Sequence, residues 1–368
     1  MNAAHLGLLR FEERYHERIW GGNRLGTVFG KPIPSDKPIG EAWLVSDHAA
    51  CESVVASGPH KGKTLRALLE ADAPAVLGAR AELTIHGRFP LLLKILDARE
   101  YLSVQVHPDD ACAKSLGEPD VGKTEMWHVL GAERDSELIC GLRRSARKES
   151  FAQAVGDETI EELMMRFPVQ EGTSVFVPSG TVHAIGAGVL LAEIQQNSNL
   201  TYRLYDWGRV QADGTMRELH VDKALKAVHF ESRHGGAATP LGYDDGGARR
   251  TVLAVCRHFA AELIELGSAP WRRATRSASF HILLCRNGTL AVSAGNDEET
   301  IRPGEAVLAA GGLEAYAVAG EGDFLDYYVP DLECDVVAPL ESAGHSMAAI
   351  VRLGGEPNAS DLRLVRAR

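Results

Sequence analysis

Gly172-Thr-Ser-Val-Phe-Val-Pro-Ser-Gly-Thr-Val-His-Ala184 joins a strand pattern to a tight turn and a histidine. Ser174 to Val177 has strand-type residues, Pro178-x-Gly180 supplies the turn, and His183 opens another strand. The same texture extends on both sides. Phe89 to Leu96 is an apolar run, and Leu102 to His107 alternates. Met126 to Leu130, Leu138 to Leu142, Val189 to Gln195 and Tyr202 to Tyr205 are further strand-like pieces around Gly-containing turns. A mainly β core is expected. Two stretches differ. Residues 60 to 86 read as helical, with Leu65, Leu68, Leu69 and Val76 at helical spacing and Pro74 breaking the run. Around 145–168, Ile160, Leu163 and Met164 share one helical face behind Asp157 as a cap, with Pro168 as the stop, which predicts a small helical insertion.

Residues 234–250, from His234 to Arg250, are rich in Gly, Asp and Ala with little apolar periodicity and read as a linker. Strand patterns return at Phe280 to Cys285, Thr289 to Ser293, Ala306 to Ala309 and Phe324 to Val329. The expected division is therefore 1–233, 234–250 and 251–368. An internal echo links the outer two. Gly172-x5-Pro178-x-Gly180-x2-His183 is matched by Gly304-x5-Ala310-x-Gly312-x2-Ala315, which points to duplication. The second copy carries Ala315 where the first has a histidine.

With 368 residues the chain has room for more than one core. Its 39 Lys+Arg against 50 Asp+Glu give a net charge of −11, which would repel a polyanion, so no nucleic-acid partner is expected. No apolar run approaches the roughly 20 residues of a membrane span, and charges follow Leu8 and Leu9 too closely for a secretory signal. A cytoplasmic protein without membrane attachment is the expectation. The six cysteines, Cys51, Cys112, Cys140, Cys256, Cys285 and Cys334, form no C-x-x-C pair and are expected to be reduced and mostly in the core.

Gln105 and His107 are one residue apart in a strand pattern, so both project to one face. Glu125 opens a strand after Gly122-Lys123-Thr124. Two imidazoles and a carboxylate on separate β elements suit zinc, iron or manganese, with water at an open position. The spacing from Gly172 to His183 resembles the second motif of cupins, small metal-holding antiparallel β-barrels. Phe89 to Leu96, Leu102 to Asp110, Gly122 to Glu125, Val177 to Ala184 and Thr201 to Asp206 resemble the type I mannose-6-phosphate isomerases, as do Ile19-Trp-Gly-Gly22 and Gly40-Glu-Ala-Trp43.

That resemblance implies two cupin-type, jelly-roll β-barrel units with a small helical insertion, and Ala315 in place of the histidine makes the second a degenerate barrel without metal. It implies one Zn²⁺ per chain on Gln105, His107, Glu125 and His183, with Arg203 in the active site. The implied reaction interconverts mannose 6-phosphate and fructose 6-phosphate through an enediolate, so the partner is a small sugar phosphate. Lys123 projects to the side of Glu125 if the strand begins there, and either meets substrate or is a solvated surface lysine. Glu193 reads as proton acceptor, hydrogen-bond partner or ion-paired structural carboxylate. For Arg203, a salt bridge to Asp206 or Glu193 is the structural alternative. A metal cupin oxygenase and a non-catalytic sugar-phosphate-binding regulator remain as other readings of the same scaffold.

Overall fold

Two antiparallel sheets form around the Gly172–Ala184 stretch. The computed structural model describes residues 6–211, 213–231 and 235–366. One sheet has six strands in the order Ser174–Val177, Glu125–Ala132, Val189–Gln196, Leu91–Ala98, Arg14–Gly22, Ile39–Val45. The other has five, in the order Met164–Pro168, Glu137–Leu142, His183–Ile185, Val104–Val106, Tyr202–Tyr205. Strand alternation decides which residues face inward. Trp127, Val129, Val175, Val177 and Leu191 from the first sheet share a buried cluster with Leu138, Cys140 and Ile185 from the second. Each such side chain, fully buried, stabilises by about 1.5–3 kcal/mol.

The outer face of the five-stranded sheet is covered as well. Val104, Val106, Ile139, Ala184 and Leu204 pack with Phe151 and Val155 of the helix Lys148–Gly156 and with Ala224 and Ala227 of the helix Val221–Ala227. The helical insertion thus exists but is shorter than expected. Asp157 ends the helix Lys148–Gly156 instead of starting one, Ile160–Leu163 is a 3₁₀ turn, and Met164–Pro168 is a strand paired with Glu137–Leu142. Tertiary pairing has overridden the helical spacing of Ile160, Leu163 and Met164.

The chain divides into two compact units. One comprises Tyr15–Ala42 and Lys94–Ala238, the other Met1–Arg14, Trp43–Leu93 and Thr239–Arg368. A continuous 1–233 block is therefore not what forms, because the helix Leu65–Leu77 belongs with the C-terminal part. Backbone bonds from Gly311 N to Val76 O at 2.8 Å, Gly312 N to Ala75 O at 2.9 Å and Phe280 N to Leu77 O at 3.0 Å tie it there. Pro74 lies within this helix, and Asp72 takes the kink, with φ −159° and ψ 81°.

The expected linker is also corrected. Leu241–Asp245 and Ala248–Val255 pair as a hairpin, with Asp245 opposite Ala248 across Gly246-Gly247. Both glycines have positive φ, 55° and 107°, as a two-residue hairpin turn demands. His234, the start of that expected linker, lies outside the described residues.

The second unit is built on a nine-stranded antiparallel sheet whose longest members are His281–Ala294 and Ala315–Tyr328. Trp271, Leu283, Tyr316 and Phe324 fill its core. The sequence echo appears in its register. Ser174–Val177 and Ala306–Ala309 each begin two residues after the echoed glycine, and His183 and Ala315 each open a strand. Val177 pairs Glu125, and its counterpart Ala309 pairs His281. His183 pairs Gln105, and Ala315 pairs Ala274. The second copy thus has His281, Ala315 and Ala274 where the first has Glu125, His183 and Gln105.

All six cysteines are free; Cys140, Cys256 and Cys285 are buried, Cys51 and Cys112 are half-buried and Cys334 is exposed. Among the described residues no helix is long and apolar enough to cross a membrane.

Candidate metal centre and active site

His183 owes its place to the turn before it. Gly180 has φ +81°, its N–H donates to His107 O at 2.7 Å, and a Cβ there would lie 2.4 Å from the His229 ring. Only glycine meets that backbone and that contact. The chain then enters the five-stranded sheet with His183 opposite both Cys140 and Gln105, and Gln105 opposite Arg203. Directly opposed residues share a face, so His183, Gln105 and Arg203 line the side on which Cys140 is buried. Glu125 reaches that interior from the other sheet, two residues before Trp127.

There His107, Glu125 and His183 converge. His107 Nε2 lies 3.5 Å from Glu125 Oε2, and His183 Nε2 lies 3.4 Å from Glu125 Oε1. All three residues are buried, and they are the one group of three or more His, Cys, Asp or Glu ligand atoms among the described residues close enough to share an ion. Each imidazole is turned by a backbone carbonyl. His107 Nδ1 donates to Leu200 O at 2.6 Å, and His183 Nδ1 donates to Thr181 O at 2.8 Å. With the proton on Nδ1, both Nε2 lone pairs point at Glu125, as a metal ligand requires.

Burial depresses the basicity of both rings. His107 falls well below the usual histidine value, chiefly by desolvation and then through Lys123 and His183, and desolvation takes His183 down to about 4. Neutral imidazole is the ligating form. The buried Glu125 carboxyl is pushed up to about 7 by desolvation, against the pull of Lys123. Glu125 Oε1 and His183 Nε2 are buried without a hydrogen bond. Such orphaned atoms are costly unless something else meets them, and two imidazole nitrogens and a carboxylate facing one point fit a divalent cation.

Lys123 is buried, not a solvated surface lysine. Its Nζ lies 2.5 Å from Glu125 Oε2, 3.2 Å from His107 Nε2 and 3.8 Å from Glu193 Oε1. Burial alone would lower its basicity, but Glu125 and Glu193 outweigh that and hold the ammonium form. Glu193 also lies 3.4 Å from Lys94 Nζ and accepts from Trp127 Nε1 at 3.2 Å. Burial would raise it, yet the two lysines keep it ionised.

Gln105, Lys123, Glu193 and Arg203 border one cavity of about 380 Å³, within the range of small-molecule sites. Sequence reasoning missed several of its other walls. Arg18 is paired with Glu41 at 2.8 Å, and Arg217 is paired with Asp206. Lys94 had a legible signal as the single charge inside the run Phe89 to Leu96. Arg203 donates from Nε to Ser103 Oγ at 3.2 Å and from a terminal nitrogen to Glu218 O at 2.8 Å. Asp206 is held by Arg209 at 2.5 Å and by Arg217, and Glu193 by the lysines, while the Arg203 guanidinium bonds Ser103 and Glu218 O.

The profile described as phosphomannose isomerase type I, catalytic domain, matches residues 8–127. The probable mannose-6-phosphate isomerase GmuF of Bacillus subtilis is 41% identical over 256 residues, covering 68% of this chain and 78% of that protein. The chain belongs to the mannose-6-phosphate isomerase family. Another relative, the mannose-6-phosphate isomerase of Streptococcus mutans, is 33% identical over 85% of this chain and 95% of its own length. In fold, this isomerase-family chain matches the crystal structure of a mannose 6-phosphate isomerase from Bacillus subtilis with a TM-score of 0.80 at 30% identity, covering 88% of this chain and 99% of that one.

Proposed function

We propose that this chain is a zinc-dependent aldose–ketose isomerase that interconverts mannose 6-phosphate and fructose 6-phosphate. The convergence of His107, Glu125 and His183 beside a cation-walled cavity carries the reading. Gln105, opposite His183 in the sheet, is the fourth proposed ligand. Zinc held there would act as a Lewis acid toward the sugar oxygens that become negative when a proton leaves carbon.

The side chains divide the remaining work. Lys123 lies against Glu125 and His107, with Glu193 beside it, and these two ionised groups hold or hand over the proton moving between C1 and C2. Arg203 offers its guanidinium to sugar or phosphate oxygens, since the acceptors it bonds, Ser103 Oγ and Glu218 O, are neutral and the Asp206 and Glu218 carboxylates act on it only through space.

The catalytic groups lie in Tyr15–Ala42 and Lys94–Ala238. We assign this unit as one jelly-roll barrel and the Thr239–Arg368 portion as a second, diverged barrel that takes no metal. Ala315 and Ala274 at the positions of His183 and Gln105 support that assignment. A soluble sugar phosphate as substrate suits an enzyme of the cytoplasm.

A coupled assay of mannose 6-phosphate turnover tests the reading, run before and after chelation and again with zinc restored. Activity that is lost on chelation and returns with zinc supports it. Stoichiometric zinc without turnover would favour a sugar-phosphate-binding regulator, and oxygen uptake with bound iron would favour an oxygenase.

A further inference from the structure

We propose that Ser198 is a positioning residue of the metal centre, acting through the main chain on His107 and on the Glu125 segment together. This rests on the zinc isomerase reading. Ser198 is 1% exposed, and its hydroxyl works in both directions. It donates to Val121 O at 2.8 Å and accepts from Leu200 N at 3.2 Å. Leu200 in turn presents the carbonyl that takes the Nδ1 proton of His107. Val121 lies at the head of the segment that delivers Lys123 and Glu125.

The loop around Ser198 is laced to that segment along its length. Gln196 Oε1 accepts from Thr124 N at 2.9 Å, Gln196 N donates to Thr124 O at 3.1 Å, and Asn199 N donates to Asp120 Oδ2 at 3.0 Å. Gln195, opposite Glu125 in the sheet, closes the turn from inside through Nε2, which donates to Gln196 O at 2.8 Å and Ser198 O at 2.6 Å. Within this bracket, the Ser198 hydroxyl is what joins the carrier of Glu125 to Leu200, the residue whose carbonyl orients His107. The position needs one donor and one acceptor on a single atom, which a hydroxyl supplies and a methyl does not. Outer partners of this kind fix the tautomer and direction of ligating histidines, and their loss typically weakens metal affinity by 10–100-fold.

The test is a zinc competition against a chromogenic chelator, with wild type, Ser198→Ala and Ser198→Cys followed beside the melting of each metal-free protein. We expect zinc to bind Ser198→Ala about 10–100-fold more weakly. Imidazole ¹⁵N shifts should show His107 fixed as the Nδ1–H tautomer in wild type and mixed in the variant. A purely structural role would lower melting with and without zinc alike and leave both readouts unmoved, and that result overturns the proposal. Should Ser198→Ala fail to fold, Ser198→Cys keeps the shape with a weaker donor, and wild-type affinity in it overturns the proposal equally. A wild type that binds no zinc would instead overturn the metal reading beneath it.

Discussion

Arg203 pairs in register with Gln105, the strand partner of His183. The guanidinium therefore stands on the sheet face that carries two proposed metal ligands, at a distance set by strand spacing and not by a flexible loop. Arg203→Lys keeps the charge but loses the fork, and is expected to retain zinc and fold while kcat falls on the order of 10²-fold. Steady-state kinetics beside metal analysis checks this. Near-normal kcat/KM in a folded, zinc-loaded Arg203→Ala would remove Arg203 from the reaction.

Glu193 joins two buried ammonium groups to Trp127. Removing its charge takes one carboxylate from Lys94 and from Lys123, which keeps Glu125, and breaking a buried pair from one side costs about 3–5 kcal/mol. Glu193→Gln should thus lose both stability and turnover, measured by denaturant unfolding and by kcat, with zinc still bound. Unchanged stability would mean that the lysines find other anions.

Much of the first unit is legible because its strands are bounded by glycine turns and alternate. Ser174–Val177 and Tyr202–Tyr205 form at the expected residues. The hairpin over 241–255 is not, since Asp244 and Arg249 face each other across exposed positions and dilute the period-2 signal. At the site, alternation puts Gln105 and His107 on one strand face, and the family resemblance implies Glu125 and His183 as their fellow ligands. Lys94 stands out as the single charge in its apolar run, but Ser198 and the Leu200 carbonyl stay hidden because their roles depend on which strands become neighbours, and local sequence does not encode that.

Asp206 gives a pH signature. Burial would raise its carboxyl, but the Arg217 and Arg209 guanidiniums outweigh burial and hold it below the ordinary value of about 3.9. A depressed folded pKa contributes stability that is full above the unfolded value and is lost as pH falls through the folded one. The melting gap between wild type and Asp206→Asn should hold from pH 7 to about 5 and close below about 4. A gap independent of pH would show that charge is not its source.

His281 occupies the Glu125 position of the second copy, where it meets Asp326 at 2.9 Å and stacks on Tyr328 at 4.6 Å. His281→Ala should destabilise by removing one hydrogen bond from the buried Asp326, which keeps Tyr316, by about 1–3 kcal/mol, with zinc content unchanged. Loss of metal on this substitution would place a ligand where we assign only packing.

The central claim is that one zinc ion is held by residues from both sheets of the first unit. Elemental analysis of purified wild type, His107→Ala and His183→Ala tests it most directly, with circular dichroism to confirm folding. One zinc per chain is expected in wild type and substoichiometric zinc in each folded variant. Stoichiometric zinc retained in both variants would contradict it.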